Sequence, residues 1–356
     1  MAVYPFREGS FAVKNGWYVA AFGEEVGREP MARTIVGLPV ALYRKEDGTA
    51  IAVGGRCPHR HFPLGKSYLR GDDIVCGYHG ISFGPDGQCT DIPSQDFVPR
   101  AYRIPVYPLV EHGMWLWIWP GDPALADPAL LPDLDDIGYT AAGMTTHAMF
   151  FNEVQCRYQL LNDNLLDLTH LAFLHGTSIG TIDNARVPET LSREPRVLRS
   201  RRLIKGGNPP PSISERRGYT GKIDSVIGMD FHLPGFHAGI GDHFEASDGP
   251  GIEGEPIQLS RVFHAVTPST RGSSYYFFGM ATPDTAGVPA TKQFLEPVIA
   301  EDVFASEEIE KMLQLVGGSP EEFMNKSDKT TVEGRRMLQA MMDLEDNPPP
   351  RMVSVA

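Results

Sequence analysis

The chain has 356 residues, 42% hydrophobic and 22% charged, an ordinary globular composition with length enough for two domains. A formal net charge of −13 with no long basic block argues against nucleic-acid binding and against an anionic membrane surface. No run approaches a membrane span, no basic-then-apolar leader is evident, and four cysteines are too few for a disulfide scaffold, so a cytoplasmic protein is expected.

Residues 1–56 read as short strands, with β-rich runs at 17–22, 41–43 and 50–53 bounded by turn residues. The segment CPHRHFPLGKSYLRGDDIVCGYHGISF follows at 57–83. It holds Cys57-x-His59, sixteen intervening residues, then Cys76-x-x-His79. Each pair suits a tight loop presenting one thiolate and one imidazole; Pro58 stiffens the first loop, and Gly77 and Gly80 permit close backbone approach in the second. Two such loops make a Cys2His2 site for zinc, or for a [2Fe–2S] cluster with two cysteines on one iron and two histidines on the other. A C-x-H first half is unusual for zinc fingers and suits the cluster, where each loop gives one ligand to each iron. Cys89 and Cys156 have no metal-ligand partner at useful spacing and read as packing residues.

Strand-like alternation returns at 104–110 and 114–119, where the tryptophans read as core or interface residues. Residues 120–136 are rich in Pro, Asp and Ala. This divides the chain into a first domain at 1–120, a linker at 121–136 and a second domain at 137–356.

The second domain opens with a strand near 145–151. Then comes NLLDLTHLAFLH at 164–175, which puts Asp167, His170 and His175 into an apolar run. Asp167 and His170 share a helix face, so the Asp167 carboxylate is expected to fix the His170 ring, but His175 lies about 140° round from His170 on an ideal helix. The segment must bend or end near His175, with Gly176 as the stop, if both imidazoles are to meet. Two histidines plus a later carboxylate form the ligand set of an oxygen-activating non-haem Fe(II) centre. The bland reading is a buried amphipathic helix with two hydrogen-bonded histidines. Asn164 is either a pocket residue or an ordinary polar helix position.

Residues 185–222 are arginine-rich and read as strand edge and loop, with solvated charge. Residues 226–245 and 257–281 read as further strands. A candidate pocket wall spans 231–243, where Phe231, Leu233, Phe236, Ala238, Ile240 and His243 give an apolar lining, and His237 and His243 either orient a substrate carbonyl or carboxylate or are core histidines. Helices are expected at 291–316 and 319–343. The first carries the third-ligand candidates Glu301, Asp302, Glu307, Glu308 and Glu310, among which spacing does not choose.

The motif C-P-H-R followed by C-x-Y-H-G-x-x-F resembles a Rieske domain, and D-x2-H-x4-H with a late acidic helix resembles Rieske non-haem iron oxygenases of the vanillate O-demethylase and dicamba monooxygenase group. The resemblance also covers GWYVAAF and GMWLWIWPGDP; the stretch at 185–255 matches no motif of the group. It implies an α+β fold, an all-β Rieske domain followed by an antiparallel sheet with helices in a helix-grip, START-like arrangement. It makes Cys57, His59, Cys76 and His79 the cluster ligands, with His61 outside the set, and selects Asp302, with Glu307 five residues on, as the third iron ligand beside His170 and His175. It implies that Asp167 bonds a cluster histidine of a neighbouring subunit, His79 here, in a homotrimer. It implies a small aromatic substrate, O2, and NAD(P)H electrons delivered through a separate ferredoxin and ferredoxin reductase, or a flavin reductase with a ferredoxin domain. No G-x-G-x-x-G fingerprint opens a helix after a strand in this chain, so nothing speaks for an internal reductase. The expected reaction is monooxygenation leading to O-demethylation or N-dealkylation with aldehyde release. The rivals are ring or side-chain hydroxylation, a Rieske electron carrier with a ligand-binding domain, and a structural zinc protein.

Overall fold

The computed structural model describes residues 6–7, 9–317 and 320–347. The N-terminal part runs β1 (Tyr18–Phe22), β2 (Met31–Ile35), β3 (Leu38–Arg44), β4 (Ala50–Gly54), β5 (Tyr68–Arg70), β6 (Asp73–Val75), β7 (Ser82–Phe83), β8 (Cys89–Asp91), β9 (Leu109–His112) and β10 (Trp115–Ile118). These pair antiparallel in three small sheets, β1-β10-β9, β2-β3-β4 and β5-β6-β7-β8. Of the strand expected at 104–110, only Leu109 and Val110 are in one. Pro105 and Pro108 have no N–H to donate, and the segment makes a single bridge, Val106 to Val53. Residues 120–136 hold two 3-10 turns, Pro123–Leu125 and Pro128–Leu130, each capped by the carboxylate of the preceding aspartate, Asp122 or Asp127.

The C-terminal part runs β11 (Thr145–Val154), α1 (Tyr158–Leu166), α2 (Asp183–Arg186), β12 (Thr190–Arg193), β13 (Val197–Gly207), α3 (Pro211–Ser214), β14 (Ile223–His232), β15 (Phe236–Glu245), β16 (Pro256–Gln258), β17 (Arg261–Thr270), β18 (Ser273–Thr282), α4 (Val288–Leu315) and α5 (Lys329–Asp346). One eight-stranded antiparallel sheet orders them β11-β18-β17-β15-β14-β13-β12, with β16 added against β15. The fold is therefore α+β. Arginines of the 185–222 stretch brace this sheet: Arg199 and Arg201 pair with Asp230 on β14, and Arg199 also holds Asp136 beyond the 3-10 turns. The second late helix starts at Lys329, because Asn325 and Asp328 form a capping box that opens a 3-10 turn first; position 319, where it was expected to begin, lies outside the described residues.

Period-two alternation sorts this sheet into two faces. Phe236 and Ala238, Phe263 and Ala265, and Tyr275 and Phe277 face Trp17, Trp115, Trp117 and Trp119 of the N-terminal part. Tyr276, Phe278 and Met280 face the other way and join the core formed with α1, α4 and α5. The halves are also tied by the Thr267 hydroxyl, which donates to the Val19 carbonyl at 2.7 Å, and by Arg7 and Lys14, whose amides reach Gln339 and Glu345 of α5. Among the described residues no helix is long and apolar enough to cross a membrane.

Candidate metal centre and cavity

Helix α1 ends at Leu166 rather than near His175. Asp167 Oδ1 accepts from the Thr169 amide (3.0 Å) and hydroxyl (2.7 Å), which opens a tighter 3-10 turn over Leu168–Ala172. That turn ends at Ala172, and the chain leaves helical geometry at Phe173, so His175 is not bound to a helical angle from His170 and both imidazoles reach one point. The chain then folds back so closely that a Cβ on Gly180 would collide with the Leu171 carbonyl, so only glycine fits.

His170, His175 and Asp302 converge there, each offering one ligand atom, all within 4.8 Å of one another. Nε2 of His175 lies 2.9 Å from Asp302 Oδ1, and Nε2 of His170 lies 3.6 Å from it. Ligand atoms at right angles around one cation sit about 3 Å apart for bonds of about 2.1 Å, so these residues fit a mononuclear ion. Their far sides are held. His175 Nδ1 bonds Glu301 Oε2 at 2.7 Å, His170 Nδ1 bonds the Asp167 backbone carbonyl at 2.6 Å, and Asn164 Nδ2 donates to Asp302 Oδ1 at 2.9 Å. The carboxylate of Asp167 is thus not what orients His170; its main-chain oxygen is. Burial pulls His170 below the ordinary histidine range, with Asp302 opposing, whereas at His175 the bonds to Asp302 and Glu301 outweigh burial and hold it above that range. Of the other acidic candidates, Glu307 accepts from the Gln155 amide, and Glu310 pairs with Arg157 at 2.7 Å.

The two cysteine–histidine loops close alike. Each cysteine N–H donates to the carbonyl five residues on (Phe62, Ile81), and each cysteine carbonyl accepts from the amide four on (His61, Gly80). His61 and Gly80 therefore occupy matching corners, with φ of 61° and 74°. His61 serves the turn, and its Nδ1 takes a bond from Arg56. Cys57 and Cys76 are buried side by side, while the His59 and His79 rings lie 4.6 Å apart at the surface. Burial and the neighbouring Cys76 sulfur push the Cys57 thiol up to about 11. Two thiolates share such a space only with cationic charge between them, and buried sulfurs beneath exposed imidazoles fit a His-ligated [2Fe–2S] cluster.

A cavity of about 490 Å³ rises from His170, His175 and Asp302 between the sheet and α4. Of the expected wall residues, Ile240 lines it, with Gly239 and Gly241 beside it. Phe231, Phe236, His237 and His243 do not. Phe236 lies on the tryptophan face, 5.1 Å from Trp115. His237 stacks on Phe231 at 4.4 Å and bonds Asn162 at 2.9 Å, and His243 bonds Ser225 at 2.8 Å. The strand is buried on both faces, so hydrophobicity alone did not reveal which face meets the cavity. His264 was missed: it lines the cavity, its Nδ1 lies 2.7 Å from the Tyr276 hydroxyl, and burial pushes it down to about 4, so it is neutral at pH 7. Its signal was a lone polar residue in the alternating run Val262-Phe-His-Ala-Val266.

The Rieske [2Fe-2S] domain family matches residues 16–108, and the family described as the vanillate O-demethylase oxygenase C-terminal domain matches 154–344. The chain is 33% identical over 345 residues to the dicamba O-demethylase oxygenase component of Stenotrophomonas maltophilia, covering 94% of this chain and 98% of that one. It is 30% identical over 275 residues to the chloroacetanilide N-alkylformylase oxygenase component of Rhizorhabdus wittichii, covering 75% and 76%. The crystal structure of dicamba monooxygenase with non-heme iron and dicamba superposes with a TM-score of 0.79 at 30% identity, covering 95% of this chain and 99% of that one.

Proposed function

The chain belongs to the Rieske non-haem iron oxygenases of the vanillate O-demethylase group, and on that premise we propose that it dealkylates a small aromatic ether or N-alkyl amide with release of an aldehyde. It is the oxygenase component of a multi-component system. We take residues 1–120 as the cluster domain, 121–136 as the linker and 137–356 as the catalytic domain. The observation that carries the substrate reading is the convergence of His170, His175 and Asp302 at the floor of an apolar cavity large enough for an arene.

Cys57 and Cys76 would hold one iron of the [2Fe–2S] cluster and His59 and His79 the other, while His170, His175 and Asp302 would hold the mononuclear iron. When bound, these groups supply single electrons and oxygen activation. This chain's residues do the positioning. Glu301 and the Asp167 carbonyl accept from the Nδ1 atoms, which leaves each Nε2 lone pair facing the centre. Asn164 steadies the Asp302 carboxylate. Burial holds the Tyr276 hydroxyl well above its ordinary pKa, so it keeps its proton and donates to His264 Nδ1. Nε2–H of His264 is then free to donate to a polar substrate atom. In each turnover one oxygen atom of O2 enters a C–H bond of the alkyl carbon and the other leaves as water, with two electrons from NAD(P)H and two protons. The hydroxylated carbon then loses its C–O or C–N bond, giving the phenol or amide and the aldehyde.

We propose that electrons arrive through a separate ferredoxin and reductase and that the protein works in the cytoplasm. A ring of three copies would set the half-buried Asp167 carboxylate against His79 of the next copy. Two observations support this: His59 and His79 are exposed, and among the described residues neither imidazole has a hydrogen-bond partner.

The test is turnover of aromatic ethers and N-alkyl amides with a surrogate ferredoxin and reductase, scoring oxygen uptake and aldehyde together. Aldehyde matching oxygen uptake is expected; a ring-hydroxylated product without aldehyde overturns the dealkylase reading. About three irons per chain separate an oxygenase from a simple electron carrier, which would hold about two.

A further inference from the structure

The cavity has unlike ends. Its floor is buried, with His175 1% and Asp302 6% exposed, and its middle is apolar, with Ile227, Val262, Met280 and Leu295. Its mouth carries the exposed, adjacent Arg216 and Arg217. The Arg216 guanidinium lies 4.2 Å from the centroid of the Phe294 ring on α4 and has no acceptor among the described residues. Arg217 is steadied at one edge only, where Nε donates to Gln258 (3.2 Å) and Nη1 to the Ile257 carbonyl (3.3 Å). Among the described residues neither arginine has a carboxylate partner, although Arg199, Arg201, Arg261 and Arg335 all do. The carboxylate at the mouth, Asp284, is engaged elsewhere: it accepts from the Gly287 amide at the start of α4 (2.9 Å). In a chain of net charge −13, two neighbouring guanidinium groups at a cavity mouth, without an ion-pair partner among the described residues, are suited to binding an anion.

We infer that Arg216 and Arg217 select an aromatic substrate bearing an oxyanion, a carboxylate or sulfonate, and hold that group at the mouth while the alkyl group to be removed points to the floor. The inference rests on the dealkylase reading for what happens at the floor, but not for binding. The planar guanidinium fork matches the paired oxygens of either anion. An anion at one end and the scissile carbon at the other favours para over ortho disposition on the ring.

The test measures binding to the full-length protein by calorimetry, with formaldehyde release assayed in parallel. The ligands are 4-methoxybenzoate, 4-methoxybenzenesulfonate, 2-methoxybenzoate and the neutral 4-methoxyacetophenone. The proteins are wild type, Arg216→Gln, Arg217→Gln and Arg217→Lys, each checked for an unchanged cluster absorption spectrum. Wild type should bind both para anions about tenfold more tightly than the ketone, and each Gln variant should lose about tenfold for the anions with little change for the ketone. Arg217→Lys should recover part of the loss, and added salt should narrow the gap. Equal binding of ketone and benzoate by wild type, or equal losses for both in the variants, overturns the inference; 2-methoxybenzoate binding as well as its para isomer overturns the end-to-end placement. Arginine-dependent anion binding without formaldehyde from any ligand would sink the dealkylase reading and leave this inference standing. Formaldehyde made equally from neutral and anionic ethers in every variant would do the reverse.

Discussion

Replacing Glu301 isolates what an outer carboxylate contributes to a metal site. Its Oε2 accepts from His175 Nδ1 at 2.7 Å, short enough for a charge-assisted bond. Such bonds contribute about 1.5–3 kcal/mol. The Glu301 side chain is 36% exposed, so solvent screening points to the low end. About 1.5 kcal/mol corresponds to roughly tenfold in iron affinity, the lower edge of the range seen when partners of this kind are removed. Glu301→Ala should therefore weaken Fe(II) binding about tenfold, measured by competition with a chelator in protein whose cluster is intact. Glu301→Gln keeps an accepting oxygen and loses only charge, so it should lose less. Glu307→Ala is the control: that carboxylate lies on the same helix but accepts from the Gln155 amide, and iron affinity should not move. If Glu301→Ala binds iron within about twofold of wild type, the reasoning is wrong and the ring is fixed by packing alone.

Four further outcomes are expected. His170→Ala and His175→Ala should each lose the mononuclear iron and productive oxygen consumption while the reduced cluster keeps its EPR signal; oxygen consumption coupled to product in either variant contradicts the site. Asp167→Asn should retain both metal centres, since the backbone carbonyl still holds His170, yet NADH oxidation should exceed product formation; coupled turnover removes Asp167 from the electron path. Arg157→Met leaves Glu310, whose side chain is 3% exposed, without its cation and should destabilise the fold by about 3 kcal/mol in thermal or denaturant unfolding. Gly239→Val puts a Cβ 2.5 Å from Val262 Cγ2 in the cavity wall, and should cost about 1–3 kcal/mol of stability and weaken substrate binding, read by calorimetry.

The strands of both halves were legible because their alternation and turn residues agree, as at 50–53 and 226–245. The family was legible because cysteines and histidines at fixed spacing on glycine-bounded loops have few other uses. Four things were not. The end of α1 depended on a side chain turning back on its own backbone at Asp167, which helical periodicity does not encode. Glu301 and Asp302 are adjacent acids on one helix, and only the packing of α4 against α1 decides that one meets Nδ1 of His175 and the other Nε2. The cavity wall was misassigned because β15 is apolar on both sides, so the sequence shows that Phe236 is buried without showing against what. Arg216 and Arg217 looked like solvated charge until the fold brought Phe294 and Gln258 beside them.

The alternation along β17 has a consequence for how such a protein diversifies. Phe263 seats the electron-donating half, while the next residue, His264, looks into the reaction chamber. Neighbouring codons thus answer to separate selective pressures, one for keeping the two halves docked and one for the compound being degraded. A lineage can retool its diet by substituting every second position of one strand, leaving the wiring between its iron centres undisturbed.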